Sequence, residues 1–227
     1  MQRPSFSIVL CCGGSSTRFR SSGANTSKQF FEWDSRPLFI HSLKKFEVIR
    51  PKELALVVPS AESARYEEAL SREKFSFEIK LTEGGARRQD SVRKGLEILN
   101  KVPFVGIHDG ARPFLSEALL DRLLLAVEKF GAVIPVLSVV ETLKQIESDG
   151  LIKKTYDRSQ FVRAQTPQFF SWNEVQEVHQ ALKDSKIEFT DDSMMFEHLG
   201  LKVYGIPGDA ENLKVTSLED LSRLGVK

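Results

Sequence analysis

The chain is poor in the features that mark disulfide-stapled and membrane-spanning proteins. Its two cysteines, Cys11 and Cys12, are adjacent, a spacing that suits neither a disulfide framework nor a Cys-x-x-Cys zinc site and favours a reducing compartment. No apolar run approaches the ~18 residues that a membrane span needs. Met1 to Phe6 also lacks the charged start and long apolar segment of a signal peptide. These absences predict a cytoplasmic protein with no membrane partner.

An excess of charge of one sign is missing as well. The formal net charge is +1, and acidic and basic residues are mixed along the length, so no continuous basic face is expected. This disfavours a nucleic-acid partner. With 227 residues, 41% of them hydrophobic, the chain can bury a substantial core, and one α/β domain over residues 1–227 is the simplest organisation.

What the chain does contain is an alternation of strand-like and helix-like segments, which predicts a Rossmann-like, mostly parallel sheet flanked by helices on both faces. The predicted strands are Phe6 to Cys11, Glu53 to Pro59, Phe77 to Thr82, Phe104 to His108, Ala132 to Leu137 and Lys202 to Ile206. The predicted helices are Pro37 to Val48, Ala61 to Leu70, Asp90 to Leu99, Glu117 to Phe130 and Trp172 to Leu182.

The first of these strands opens into a loop that favours a phosphate site. Small residues beginning Gly13-Gly14 follow the strand and allow a close approach of the backbone to an anion, while Arg18 and Lys28 supply positive charge. An ordinary flexible turn is the alternative. Neither a Gly-x-Gly-x-x-Gly fingerprint nor a P-loop ending in Gly-Lys-Ser/Thr is present, so a nucleotide bound here must be held in another way.

Two further clusters follow predicted strands and should meet the first at the same sheet edge, where ligands of such sheets bind. In Gly84-Gly85, which leads to Ser91, backbone amides and a hydroxyl are able to read a base edge, although a helix-capping turn is the alternative. Asp109 is placed to hold Mg²⁺, which takes only one or two protein carboxylates, or else is a turn or N-cap residue.

The C-terminal region adds a charged group whose surroundings are apolar. Lys214 falls within a short strand-like run that is otherwise apolar, so its ammonium group must either reach solvent or meet an anion. Thr190-Asp191-Asp192 is a second polar group in this region.

One segment interrupts the alternation. Residues 139–168 contain the pattern Glu141 to Ile146, a turn at Asp149-Gly150, and Leu151 to Tyr156, which predicts a hairpin too polar to be buried on both faces. We interpret it as a protruding β-arm that pairs with a second subunit, with a solvated excursion as the alternative.

Taken together, these motifs resemble one family over nearly the whole chain. The shared segments are the Gly-Gly-x-x-Thr-Arg loop, Ser27-Lys28-Gln29-Phe30, Gly84-Gly85 to Asp90-Ser91-Val92, His108-Asp109-Gly110-Ala111-Arg112-Pro113, Asp157-Arg158, Gln165-Thr166-Pro167-Gln168-Phe169, Thr190-Asp191-Asp192 and Asn212-Leu213-Lys214-Val215-Thr216. They are similar to those of the 2-C-methyl-D-erythritol 4-phosphate cytidylyltransferases of the non-mevalonate isoprenoid pathway. The resemblance implies a nucleotidyltransferase-type fold, CTP and a sugar-alcohol phosphate as substrates, Mg²⁺ as cofactor, and a homodimer formed through the β-arm.

The resemblance also implies roles for individual residues. Those implied as catalytic are Arg18, Lys28 and Lys214. Those implied in CTP binding are Cys11, Cys12, Gly13, Gly14, Gly85, Arg88, Ser91 and Asp109, the last also as the Mg²⁺ ligand. Those implied in binding the acceptor are Thr142, Arg158, Thr190, Lys214 and Arg112, with Thr142 and Arg158 reaching the site from a second subunit.

Two other functions are compatible with these motifs. Ribitol-5-phosphate cytidylyltransferases share most of them and differ in the acceptor. A catalytically silent nucleotide-binding domain of the same fold belongs to a different class, and the joint presence of Arg18, Lys28, Asp109 and Lys214 argues against it.

Overall fold

A mixed eight-stranded sheet is the centre of the computed structural model, which describes residues 3–13, 19, 21 and 26–223, with side chains up to residue 221. The strands are β1 (Phe6–Cys11), β2 (Glu32–Trp33), β3 (Arg36–Pro37), β4 (Glu53–Val58), β5 (Glu78–Glu83), β6 (Phe104–Asp109), β7 (Ala132–Ser138), β8 (Leu143–Ile146), β9 (Ile152–Tyr156), β10 (Val162–Ala164), β11 (Gln168–Ser171) and β12 (Tyr204–Pro207). The α-helices are α1 (Leu38–Lys44), α2 (Ser63–Ser71), α3 (Arg88–Ile98), α4 (Glu117–Phe130), α5 (Trp172–Ala181), α6 (Asp192–His198) and α7 (Leu218–Arg223).

The register of the parallel strands brings their carboxyl ends together. The sheet order is β10-β7-β11-β6-β1-β4-β5, with β12 also paired to β7. Strand β1 runs parallel to both β4 and β6, and Cys11 is level with Val57 on one side and with Asp109 on the other. Strand β5 runs parallel to β4, with Glu83 level with Val58. The loops that follow β1, β5 and β6 therefore share one edge, as the strand pattern predicts.

Both faces of the sheet are buried, because side chains alternate between two cores along each central strand. In β1, Ile8 and Leu10 belong to the core beneath α1, α2 and α4, whereas Val9 belongs to the core beneath α3, α5 and α6. Helix α3 lies so close to the sheet that a Cβ on Gly95 would come within 2.6 Å of Val9 Cγ1. Close packing of α3 holds its amino-terminal turn against the ligand edge.

The predicted fold class is confirmed, and most predicted elements match to within a few residues. Helix α4 begins and ends as predicted, and Ser116 caps it by accepting a hydrogen bond from Leu119 N at 3.3 Å. The prediction of a short strand around Lys214 is wrong. Residues 212–216 belong to no strand and are held through bonds such as Val215 N to Ala111 O. Strand β11 was not predicted, and it lies antiparallel between β6 and β7.

The hairpin of β8 and β9 lies within the predicted arm at 139–168. These strands pair antiparallel with each other as a separate two-stranded sheet. Ile146, Leu151 and Ile152 are each more than half exposed on it. The role of the hairpin as a dimerisation arm stays a prediction. The organisation of residues 1–227 as a single domain also stays a prediction. No helix in the described parts of the chain is long and apolar enough to cross a membrane.

Candidate active site

A cleft of about 520 Å³ opens at the carboxyl ends of β1, β4 and β5. The residues predicted for CTP binding or catalysis that line it are Cys11, Gly13, Lys28, Gly85, Arg88, Ser91, Asp109 and Lys214. We call it the nucleotide cleft. Cys12 does not line it and is buried, at 2% exposure. The predicted Gly14 and Arg18 lie outside the residues that the structure describes.

One wall of the nucleotide cleft is the tight turn between β5 and α3. Gly85 N donates a hydrogen bond to Ser91 Oγ at 3.0 Å, and Ser91 Oγ is 3.1 Å from Arg87 O, to which it donates. A Cβ on Gly85 would come within 2.4 Å of Asp90 Cβ, so a larger residue there requires the turn to open. The hydroxyl of Ser91, predicted to read a base, thus also shapes the turn that lines the cleft.

Basic side chains contact the carboxylate of Asp109, the last residue of β6. Its Oδ2 lies 2.8 Å from Lys214 Nζ and 3.6 Å from Arg112 Nε. Burial alone would raise the pKa of this carboxyl group, but Lys214, Arg88 and Arg112 outweigh burial and hold it well below its usual range. Asp109 is therefore ionised at neutral pH. Lys214 shows both predicted outcomes, because its ammonium group meets an anion and its side chain is 39% exposed.

Three residues behind Asp109 hold its backbone in place. Asp109 N donates to Thr166 Oγ1 at 3.1 Å, and the Thr166 hydroxyl contacts His108 Nδ1 at 3.0 Å. His108 Nε2 lies 3.3 Å from Arg112 O, and because a carbonyl oxygen only accepts, this contact needs a proton on Nε2. Burial lowers the pKa of His108 to about 4, so the ring stays neutral near pH 7.

A second, smaller cleft of about 180 Å³ lies beside the first and opens toward β10 and β11. We call it the acceptor cleft, since it holds Arg112, Thr190 and Lys214 of the predicted acceptor residues. Arg112 also donates from Nη1 to Asn212 O at 2.8 Å, which anchors it to the segment that carries Lys214.

The two clefts share part of their lining. Arg88, Asp109 and Lys214 border both of them, and we refer to these three residues as the junction. Two cations and one carboxylate therefore stand where a ligand in one cleft would meet a ligand in the other. Such fixed charges act on reacting phosphates without further reorganisation.

Thr142 and Arg158, predicted to reach the acceptor, line neither cleft within this chain. Both are exposed, and Arg158 donates a hydrogen bond to Val140 O at the base of the hairpin. Their predicted role needs a second copy of the chain and stays a prediction.

Sequence reasoning gave no individual role to several residues that build the acceptor cleft. Gln168 donates to Asp191 Oδ2 at 2.8 Å and accepts from Asp192 N at 3.1 Å, linking β11 to the start of α6. Asp191 caps α6 by accepting from Met194 N at 2.9 Å. The Gln165-Thr166-Pro167-Gln168 and Thr190-Asp191-Asp192 motifs mark these positions, but the contact between them depends on the tertiary fold.

Comparison with known proteins places this chain in a family. The family model described as 2-C-methyl-D-erythritol 4-phosphate cytidylyltransferase matches residues 6–225. A protein of that name from Clostridium perfringens is 38% identical over 215 residues, covering 94% of each chain. Another from Geobacillus kaustophilus is 39% identical over 216 residues, covering 94% of this chain and 92% of its own.

Structural comparison agrees with the sequence relatives. The crystal structure of a 4-diphosphocytidyl-2C-methyl-D-erythritol synthase from Anaerococcus prevotii superposes with a TM-score of 0.82 at 27% identity, over 97% of this chain and 96% of that chain. The matches in sequence and in structure thus extend over almost the whole length. The chain belongs to the 2-C-methyl-D-erythritol 4-phosphate cytidylyltransferase family.

Proposed function

We propose that this protein transfers a cytidylyl group from CTP to 2-C-methyl-D-erythritol 4-phosphate, giving 4-(cytidine 5'-diphospho)-2-C-methyl-D-erythritol and pyrophosphate. The observation that carries the proposal is the junction, where Arg88, Asp109 and Lys214 border two adjacent clefts. Family membership supports the identity of both substrates. CTP occupies the nucleotide cleft, and the acceptor phosphate enters from the acceptor cleft.

The reaction is a direct displacement at phosphorus. An oxygen of the acceptor phosphate forms a bond to the α-phosphorus of CTP, the bond from that phosphorus to the α,β-bridging oxygen breaks, and pyrophosphate leaves with that bond's electron pair. Repulsion between two polyanions is the main obstacle, so positioning and charge neutralisation supply most of the rate enhancement. Lys214, Arg88 and Lys28 border the nucleotide cleft and are suited to this task.

A covalent enzyme intermediate is not needed, and the thiol of Cys11 is unsuited to form one. Cys11 lines the nucleotide cleft, but burial raises the pKa of its thiol to about 12. At neutral pH it is protonated and a poor nucleophile. The acceptor's own phosphate is already an anion and attacks without activation by a side chain.

Mg²⁺ is the proposed cofactor, and Asp109 is suited to hold it. The carboxylate is ionised and 13% exposed, and it borders both clefts. In the described part of the chain both cations that contact it lie against Oδ2. A single carboxylate together with substrate phosphates is a common Mg²⁺ site, and a bound ion there would neutralise charge on the phosphates.

We further propose a cytoplasmic homodimer in which the hairpin completes the acceptor site of a second copy. Thr142 precedes β8 and Arg158 follows β9, both are exposed, and the acceptor cleft of one chain contains neither residue. An Arg from a second copy would meet the acceptor phosphate there. The free thiols of Cys11 and Cys12 support a reducing compartment.

Pyrophosphate release tests the proposed function. The purified protein is mixed with CTP and MgCl₂, and release is followed with methylerythritol phosphate, with ribitol 5-phosphate, and with no acceptor. We expect release that depends on methylerythritol phosphate. Faster release with ribitol 5-phosphate would show that ribitol 5-phosphate is the acceptor instead. No release with either acceptor would contradict the proposed function and favour a catalytically silent nucleotide-binding domain.

A further inference from the structure

Asp192, the first residue of α6, is a fully buried carboxylate behind the junction. Its side chain is 0% exposed, so it touches neither cleft directly. Oδ2 lies 2.7 Å from Arg88 Nη2, and Oδ1 lies 3.3 Å from Nε2 of His179 on α5. Burying a carboxylate costs folding free energy, because the carboxylate and its charged partner lose hydration.

The charge of Asp192 persists in this buried place because of its partners. Burial raises the pKa of the carboxyl group, but Arg88 and His179 outweigh burial and keep it below its usual range. His179 is itself only 2% exposed. The Asp192 carboxylate therefore presents a fixed negative charge to one end of the Arg88 guanidinium.

Arg88 joins this buried pair to the reaction site. Its side chain is 24% exposed and borders both the nucleotide cleft and the acceptor cleft. An unrestrained arginine populates many rotamers, and fixing it costs entropy each time a ligand binds. An arginine that is already fixed stabilises developing charge without that cost.

We propose that Asp192 and His179 are positioning residues that hold the Arg88 guanidinium at the junction, ready for the phosphates that meet there. The inference rests on the proposed function for its kinetic consequence, but not for its structural content. Asp192 acts through Arg88 and has no contact with substrate, in contrast to Asp109, which borders both clefts.

The backbone of α3 is held by other contacts, so the two positioning residues act on the Arg88 head rather than on the helix. Gln89 Nε2 donates to Ile187 O at 2.8 Å, and Gln89 Oε1 accepts from Phe189 N at 3.1 Å. Arg87 donates to Ser185 O. None of these bonds involves His179, so the amino-terminal turn of α3 should keep its position when His179 is replaced.

Steady-state kinetics of two replacements at one position test the positioning role. In His179→Leu the contact with Asp192 is lost, and we expect kcat to fall about tenfold while KM for CTP changes less than about twofold. In His179→Gln an amide can still reach Asp192, and kcat should return to within about threefold of the wild-type value. His198→Leu, at an exposed histidine near the end of α6, is the matched control and should leave kcat unchanged.

A second readout needs no activity. In protein labelled with ¹⁵N-arginine, the Arg88 guanidinium, assigned by its loss in Arg88→Lys, should give separate Nη signals because rotation about its Nε–Cζ and Cζ–Nη bonds is hindered. In His179→Leu and in Asp192→Asn these signals should average. If the wild-type enzyme released no pyrophosphate, the proposed function would fail while this result still supported the positioning role.

Two results would overturn the inference. The first is averaged Nη signals for Arg88 in the wild-type protein. This result would overturn the inference even if the variants did not fold, because it needs no variant at position 179 or 192. Equal losses of kcat in His179→Leu and His179→Gln, with matching falls in the unfolding temperature, would reduce His179 to a packing residue.

Discussion

The junction and the hairpin of β8 and β9 carry predicted site residues under opposite physical conditions. At the junction each charge has a fixed partner, with Asp109 2.8 Å from Lys214 and Arg88 2.7 Å from Asp192. The hairpin pairs as a separate sheet, and Ile146 and Ile152 are more than half exposed. One region is organised within a single chain, whereas the other displays a surface that a second copy is suited to cover.

This difference predicts different kinetic signatures. Charges preorganised at the junction stabilise the transition state, so their loss lowers kcat. Under the proposed dimer, groups on the hairpin contribute to acceptor binding only after association, and their loss should raise KM for the acceptor and leave CTP binding unchanged. The following predictions test this contrast.

The largest effect is expected for Lys214→Ala. Removing this cation also leaves Asp109 without its nearest partner, and kcat should fall by about 10²–10³-fold. Lys202→Ala, at an exposed lysine that lines neither cleft, is the matched control. The rate of pyrophosphate release at saturating substrates measures both. A rise in KM with unchanged kcat would contradict this prediction and show that Lys214 contributes to substrate binding only.

The second prediction is a pH dependence of the free energy of unfolding that comes from His108, the residue next to Asp109. The pKa of His108 is about 4 in the folded protein and near 6.5 when unfolded, so the unfolded state binds more protons between these values. The free energy of unfolding should therefore fall by about 3 kcal/mol as the pH drops from 6.5 to 4 and level off below that.

Urea unfolding at a series of pH values measures this dependence. Because carboxyl groups also titrate in this range, wild type is compared with His108→Gln, which removes only the His108 contribution. The variant should lose less stability between pH 6.5 and 4, and a slope equal to that of wild type would contradict the assignment.

A smaller effect is expected for Ile152→Asp on the hairpin. A charge in a dimer contact should weaken association by at least about tenfold, because it is desolvated without a partner. Sedimentation velocity over a concentration series should then show dissociation where the wild type is dimeric. Leu125→Asp, at a similarly exposed leucine on α4, is the matched control. A wild-type protein that sediments as a monomer would refute the proposed arm.

The smallest effect is expected for Arg158→Ala. Loss of one charged contact to the acceptor phosphate should raise KM for the acceptor by about tenfold while KM for CTP stays constant. Lys154→Ala on β9 removes a nearby exposed charge and should leave both constants unchanged. Unaltered acceptor kinetics in Arg158→Ala would make the hairpin a structural element only.

The local sequence pattern is sufficient to predict most strands of the sheet. For the site it predicts single residues but not the contacts between them. The predicted bounds of strand β1 agree with the structure, because its apolar run from Ile8 to Leu10 is typical of a strand buried on both faces. Strand β11, with the sequence Gln-Phe-Phe-Ser, was missed because four residues carry too little periodicity. Its place between β6 and β7 is decided by tertiary packing.

The same limit applies to the junction. Asp109 was predicted from its position after a strand, and Lys214 from an uncompensated charge in apolar surroundings. The contact between Arg88 and Asp192 was not predicted, because it joins α3 to α6 and neither segment alone indicates the other. The supporting roles of Thr166 and His108 depend on a similar long-range contact.

The stereochemical course at the α-phosphorus tests the central claim most directly. The account requires direct attack by the acceptor phosphate at charges that the protein holds ready, with no covalent enzyme intermediate. With a single diastereomer of α-thio-CTP as donor, it predicts a product of inverted configuration at phosphorus. Retention would require two displacements, and therefore a nucleophilic side chain, and would contradict the account.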